Sequence, residues 1–175
     1  MPGSDPFQPA DDDARRIARD LIARATHAAL AVIRPDTTLP SVTRIAMATD
    51  PQGAPLSLIS SLSHHTAALD ATSDCALLLG EPDNKGDPLT HPRLTVHARA
   101  QLIPRDSADH TPLRDHYLTQ RPKAKLYIDF ADFRLVRFAV TDALLNGGFG
   151  KAYVLSAADL IGPSPAPQSV PDPKA

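Results

Sequence analysis

A single cysteine, Cys75, is all that this chain of 175 residues carries, so no intramolecular disulfide can form. It lies in the apolar run Cys75-Ala-Leu-Leu-Leu79 and reads as a buried core thiol. Excess charge of one sign is also missing: 18 Lys and Arg against 20 Asp and Glu leave a net charge of −2, with no basic stripe. That pattern lacks the electrostatic footprint of a nucleic-acid binder, and no nucleic-acid partner is expected. No stretch approaches the ~18 apolar residues of a membrane span, and no charged segment followed by a short apolar run opens the chain. The expectation is a soluble, cytoplasmic protein. Seven histidines are present, but His64 and His65 are adjacent and no Cys-rich or His-x-x-x-His spacing occurs, so a metal site is not expected. The absence of a Gly-x-Ser-x-Gly elbow removes the usual sequence basis for Ser/His/Asp catalysis.

What the chain has is length enough for one domain with its own core. Eight of its 18 prolines lie in the first nine residues or after Leu160. Residues 1–10 and the Pro-rich 162–175 are therefore expected to be disordered tails around a domain at 11–161. After Asp11-Asp-Asp13, the apolar residues Ala14, Ile17, Ala18, Leu21, Ile22 and Ala25 recur at helical steps, with acidic residues at the positive end of the helix dipole. Short strands follow at Ala28 to Ile33, Val42 to Thr49, Leu56 to Ser61, Ala76 to Leu79 and Leu94 to Ile103. Asp50-Pro-Gln-Gly-Ala-Pro55 joins the second to the third as a hairpin, with Gly53 as its permissive position. Thr111-Pro112 reads as a helix entry that puts Leu113 and Tyr117 on one face, and a second short helix begins at Pro122. Strands resume at Phe133 to Thr141 and Ala152 to Leu155. The fold class is α+β and predominantly β, an antiparallel barrel flanked by short helices.

Two places could hold chemistry. Leu58-Ser-Leu-Ile-Ser-Ser-Leu-Ser-His-His-Thr66 runs from a strand into a helix start rich in hydroxyls and imidazoles. There, free N–H groups, the helix dipole and the side chains of Ser61, Ser63, His64, His65 and Thr66 favour an anion such as phosphate. A helix terminus contributes only about 0.3–1 kcal/mol, so a ligand needs a second surface. Strand alternation supplies one by placing Arg44 with Val42, Ala46 and Ala48 on a shallow face that could accept a flat ring. Asn146-Gly-Gly-Phe-Gly150 lacks the spacing of a dinucleotide or P-loop fingerprint and reads as a tight turn, with Phe149 a possible wall.

These residues, in this order, resemble the pyridoxamine 5′-phosphate oxidase-like FMN-binding split-barrel proteins, in the branch related to haem-utilisation proteins. The match rests on the leading helix, the block from Gly53 to Thr66, Asp87-Pro88 with Pro92-Arg-Leu-Thr-Val96, Arg121 to Phe133, and Gly147-Gly-Phe-Gly150. The resemblance implies a six- or seven-stranded split barrel that forms a homodimer, with two FMN sites between the subunits. By that analogy Arg44, Ile45 and Ala46 line the isoalloxazine, Ser60, Ser61, His65 and Thr66 hold the ribityl and phosphate groups, and Arg93 and Phe149 complete the pocket.

The chain departs from the family in ways that bear on activity. True pyridoxamine oxidases end in a segment with tryptophan and Arg-Leu-x-Pro, whereas this chain has no tryptophan and a Pro-rich end, which speaks against vitamin B6 oxidation. Haem-degrading relatives use a histidine in a C-terminal extension, and no histidine follows His116 here. The reading that results is an FMN flavoprotein, an oxidoreductase acting on an unidentified small substrate, with no residue marked as general acid or base. The alternatives are a haem-binding or haem-utilisation protein and a non-catalytic flavin-binding protein.

Overall fold

Asp11 starts the first helix: its side chain accepts a hydrogen bond from the Ala14 N–H at 2.7 Å, satisfying a donor that the helix itself leaves free. The computed structural model describes residues 7–148 and 150–161, so most of both expected tails lies outside the described residues. Helix α1 spans Asp12–Arg24 and buries Ala14, Ala18 and Ile22, the face that the periodicity predicts. Nine strands form one sheet: β1 (Gln8–Pro9), β2 (His27–Ile33), β3 (Pro40–Ala46), β4 (Ala48–Thr49), β5 (Pro55–Ser60), β6 (Asp74–Leu79), β7 (Arg93–Leu102), β8 (Phe133–Asn146) and β9 (Ala152–Ser156), seven of them on one path and β4 and β5 branching from it at β8. Helices α2 (His64–Ala71), α3 (His110–Gln120) and α4 (Ala157–Leu160) pack around them, with 3-10 turns at Pro88–Thr90 and Pro122–Leu126.

The barrel wall runs β5-β8-β7-β6-β2-β3 by antiparallel pairing. Between β3 and β5 the wall is closed by a side chain: the Ser57 hydroxyl, fully buried, donates to the Ala46 carbonyl at 2.6 Å. The inner faces of β2, β6, β7 and β8 meet α1 in one core, centred on Leu30, Leu77, Leu94, Val96, Phe138 and Leu145. A second core joins α3 to β4, β5 and β8 through Leu56, Leu113, Tyr117 and Leu135. Gln120 fixes α3 by bonding both the N–H and the carbonyl of Thr49, at 3.0 and 2.8 Å.

Several local expectations are corrected. Residues 8–9, assigned to a tail, pair in parallel with Tyr153 and Val154 as an edge strand, where a proline without an N–H is tolerated. The expected strand Val42 to Thr49 is broken at Met47, which is fully buried and donates its N–H to the Thr26 carbonyl at 2.9 Å. That break turns Ala48 into the second core, so it does not share the face of Arg44. Helix α3 begins one residue before Thr111, with Asp109 as its N-cap. Strand β8 continues five residues past Thr141, and α4, started by a Ser156/Asp159 capping box, has no apolar period long enough to announce it.

Candidate functional site

Where β5 runs into α2 the chain turns through Ser61, Leu62 and Ser63. The turn is held from inside. Thr66, with no exposed surface, donates its hydroxyl to the Ser60 carbonyl at 2.6 Å. Ser60 donates its own hydroxyl to Asp132 at 2.8 Å and accepts the Leu62 N–H at 3.2 Å. The Ser61 N–H donates to the Asp132 carbonyl at 2.7 Å, while the Ser61 side chain is exposed. Two of the four residues expected to hold a phosphate therefore spend their hydroxyls within the protein, and a carboxylate stands among them. Thr66 is a corner lock with no free donor for a surface ligand.

His65 connects this corner to β3: its Nδ1 lies 3.1 Å from the Thr43 hydroxyl. Burial lowers the pKa of its imidazole, so the ring is neutral at pH 7 and adds no positive charge. Its Nε2 is sealed from solvent and has no hydrogen-bond partner among the described residues. Ser63, at the N-cap, makes no side-chain cap bond.

On β3, Val42, Arg44 and Ala46 face outward and are exposed, as alternation predicts. Arg44 makes no hydrogen bond or ion pair among the described residues, leaving a guanidinium free on that face. Ile45 points the other way and is 5% exposed within the core, so its side chain cannot line an outer ring. Thr43, its alternation partner on the inner side, is the residue that reaches His65.

Arg93 belongs to a different place. It opens β7 opposite Asn146 at the end of β8, and donates to the Leu89 carbonyl at 2.9 Å. It therefore sits with the glycine turn, where the Gly147 N–H bonds the Lys151 carbonyl at 2.7 Å, and three steps of strand pairing separate β7 from β3. Phe149 lies outside the described residues. A cavity of about 350 Å³ opens beyond the end of α1, lined among others by Leu21, Arg24, His27, Glu81 and Pro92. None of the candidate ligand-binding residues lines it. Sequence reading missed Asp132 and Thr43 as site residues: Asp132 appeared only within the Arg121 to Phe133 block, and nothing local shows that it faces Ser60.

Residues 9–160 match the family model described as CREG, beta-barrel. Among curated proteins the chain is similar to non-canonical heme oxygenase HOZ, chloroplastic, of Arabidopsis thaliana, with 35% identity over 99 residues. That match covers 56% of this chain and 29% of HOZ. Among solved structures, Atu2129, a protein of unknown function from Agrobacterium tumefaciens str. C58, is 33% identical with a TM-score of 0.75, covering 90% of this chain and 65% of that one. A heme binding protein from Mycobacterium smegmatis is 22% identical with a TM-score of 0.76, covering 88% and 61% respectively. A Clostridium acetobutylicum protein of the pyridoxinephosphate oxidase family is 10% identical with a TM-score of 0.63, covering 86% and 99%. The last two likenesses speak to the fold alone. The chain spans less than a third of HOZ and less than two thirds of the Agrobacterium and Mycobacterium proteins.

Proposed function

We propose, for a chain that belongs to the CREG beta-barrel family and has the pyridoxamine 5′-phosphate oxidase-like split-barrel fold, a haem-binding function carried out by two copies together. The observation that carries this reading is the 35% identity shared with HOZ, a heme oxygenase. The geometry of the α2 corner weighs against FMN. A phosphate charge about 5 Å from the Asp132 carboxylate meets about 3 kcal/mol of repulsion at an effective dielectric of 20, before salt screening. The helix terminus returns about 0.3–1 kcal/mol, and neutral His65 returns no charge.

A porphyrin asks for an apolar plane and an imidazole rather than a phosphate cradle. The outer face of the sheet supplies the plane. Cross-strand pairing aligns Ala31 with Ala76 and Ala29 with Leu78, all facing away from the core. Ile33, Leu78 and Val154 on the same side are 48%, 47% and 44% exposed. Between the charged Arg44 on one side and Arg99 and Asp142 on the other, this exposed apolar strip suits a partner surface. We read it as the contact between two copies, with the ligand held between them. Bound there, haem would supply an iron with an axial position for a protein nitrogen.

Titration of the full chain separately with haemin and with FMN tests the reading, with light scattering to count subunits. A saturable Soret band with undiminished flavin fluorescence is expected, at twice the 18.7 kDa chain mass. Retained FMN without a Soret change would overturn the haem reading, and a monomer with or without haemin would remove the second copy. An FMN oxidoreductase, with Arg44 tuning the flavin, is the second reading, and the unpaired Arg44 guanidinium favours it.

A further inference from the structure

Strand β8 carries one residue more than β7 can pair. His97 lies opposite Asp142 and Ala98 opposite Val140, which leaves Thr141 as the extra residue of a β-bulge. The bulge changes which side of the sheet each residue faces. Before it, Phe138 points into the core; after it, Ala143 and Leu145 do, so the inward positions shift from even to odd numbers. Without the bulge Asp142 would continue the inward series and bury a carboxylate in an apolar core. With it, Asp142 turns outward beside His97, at 2.6 Å from Nδ1. The Thr141 hydroxyl fixes the arrangement, at 3.1 Å from the His97 carbonyl and 3.2 Å from the Asp142 carboxylate. Such bulges commonly re-aim a side chain at a functional position.

Stability does not account for the pair. The side chains of His97 and Asp142 are 42% and 46% exposed, and an ion pair so placed contributes little. Its chemistry is more specific. An imidazole whose Nδ1–H donates to a carboxylate presents the Nε2 lone pair outward, the arrangement found behind most metal-bound histidines. The other six histidines lack it. His27 uses both nitrogens, on Thr26 and Glu81, and His91 does so on Asp83 and Lys85. His116 places Nε2 on Gln120, and His65 has its Nε2 sealed. His110 is 9% exposed in the α3 packing, and His64 is exposed with no side-chain bond among the described residues to orient it. Among the described residues, His97 alone combines a carboxylate on one nitrogen with an open second nitrogen, and it pairs with Ala76 at the apolar strip of the outer face.

We propose that His97 is the axial ligand to haem iron through Nε2, with Asp142 as a positioning residue that holds the Nδ1–H and Thr141 as the residue that holds Asp142. This rests on the haem reading above and goes further by naming the ligand. The site takes a metalloporphyrin with an open axial position.

The test is the ferrous resonance Raman and absorption spectrum of the haemin-loaded, dithionite-reduced full chain, for wild type, His97→Gly and Asp142→Asn. Wild type should show an iron–histidine stretch. His97→Gly should lose it while keeping the wild-type circular dichroism, and added imidazole should restore it. Asp142→Asn should keep the stretch at a lower frequency and weaken haem retention by about 10- to 100-fold. An unchanged iron–histidine band in His97→Gly overturns the assignment and leaves haem binding standing. A wild-type chain that gives no Soret band overturns the haem reading itself. If His97→Gly dissociates the dimer and the haem spectrum stays that of wild type, the pair is a subunit contact and the assignment falls.

Discussion

Arg15, near the start of α1, donates its Nε–H to the Asp159 carboxylate of α4 at 2.6 Å, joining two helices 144 residues apart in sequence. Asp159 also accepts from the Ser156 hydroxyl at 2.7 Å. The Arg15 hydrogen bond first, and the Ser156 bond second, pull the Asp159 pKa down to about 2. Its unfolded value is about 3.9, so this link contributes stability that is fully present above about pH 4 and is lost as pH falls through about 2. Thermal unfolding from pH 5 to pH 2 should therefore show a steeper fall in Tm for wild type than for Asp159→Asn. Parallel curves for the two proteins would show that the link does not act this way.

Asp132 should repel phosphate from the α2 corner. Asp132→Asn keeps an oxygen near Ser60 and removes the charge, so FMN or inorganic phosphate should bind about tenfold or more tightly, the equivalent of about 1.4 kcal/mol. Fluorescence titration with FMN measures it. No change in affinity would mean that the phosphate lies elsewhere, and the charge argument against FMN would lose its force.

Thr66 should matter for folding rather than for ligand. Thr66→Val removes the hydroxyl that donates to the Ser60 carbonyl and leaves that oxygen with the Ser63 N–H, a cost of about 1 kcal/mol in urea unfolding. Haem affinity should not move. A variant as stable as wild type that binds haem more weakly would return Thr66 to the ligand site.

Gly80, in the connection between β6 and β7, has φ of +97°, and a Cβ there would lie 2.5 Å from the Pro92 carbonyl oxygen. Gly80→Ala should cost about 2 kcal/mol or more, because strained backbone and a clash with main-chain atoms add. A denaturation midpoint equal to that of wild type would contradict the close approach.

Burial, followed by the nearby Asp74 charge, pushes the Cys75 thiol up to about 12. At pH 8 the folded protein should therefore react with a thiol reagent far more slowly than the chain in denaturant. Equal rates in the two states would show the thiol to be accessible.

How much of this was legible in sequence depends on the range of the interaction concerned. The α1 face, the Asp50 to Pro55 hairpin and the outward Arg44 follow from periodicities of a few residues, and the structure has all three. The tail at residues 8–9 was misread because a two-residue edge strand has no period of its own and exists only where β9 offers an open edge. Thr66 reads as a ligand donor from its place at the helix start and Ser60 from the family resemblance, since nothing near either reveals that one hydroxyl is used on a carbonyl and the other on Asp132, seventy-two residues away.

The sequence by itself determined the family, the mixture of helices and strands, and the candidate face on β3, because amphipathic period, turn chemistry and capping are local properties of the chain. The tertiary structure decided which polar groups remain free for a ligand. Hydrogen bonds between distant segments consume donors that local pattern counts as available, and one unpaired residue, Thr141, sets the direction in which Asp142 points. A period-two strand keeps no record of such a shift until its partner is known, because the parity of a strand is fixed only by the register in which it pairs.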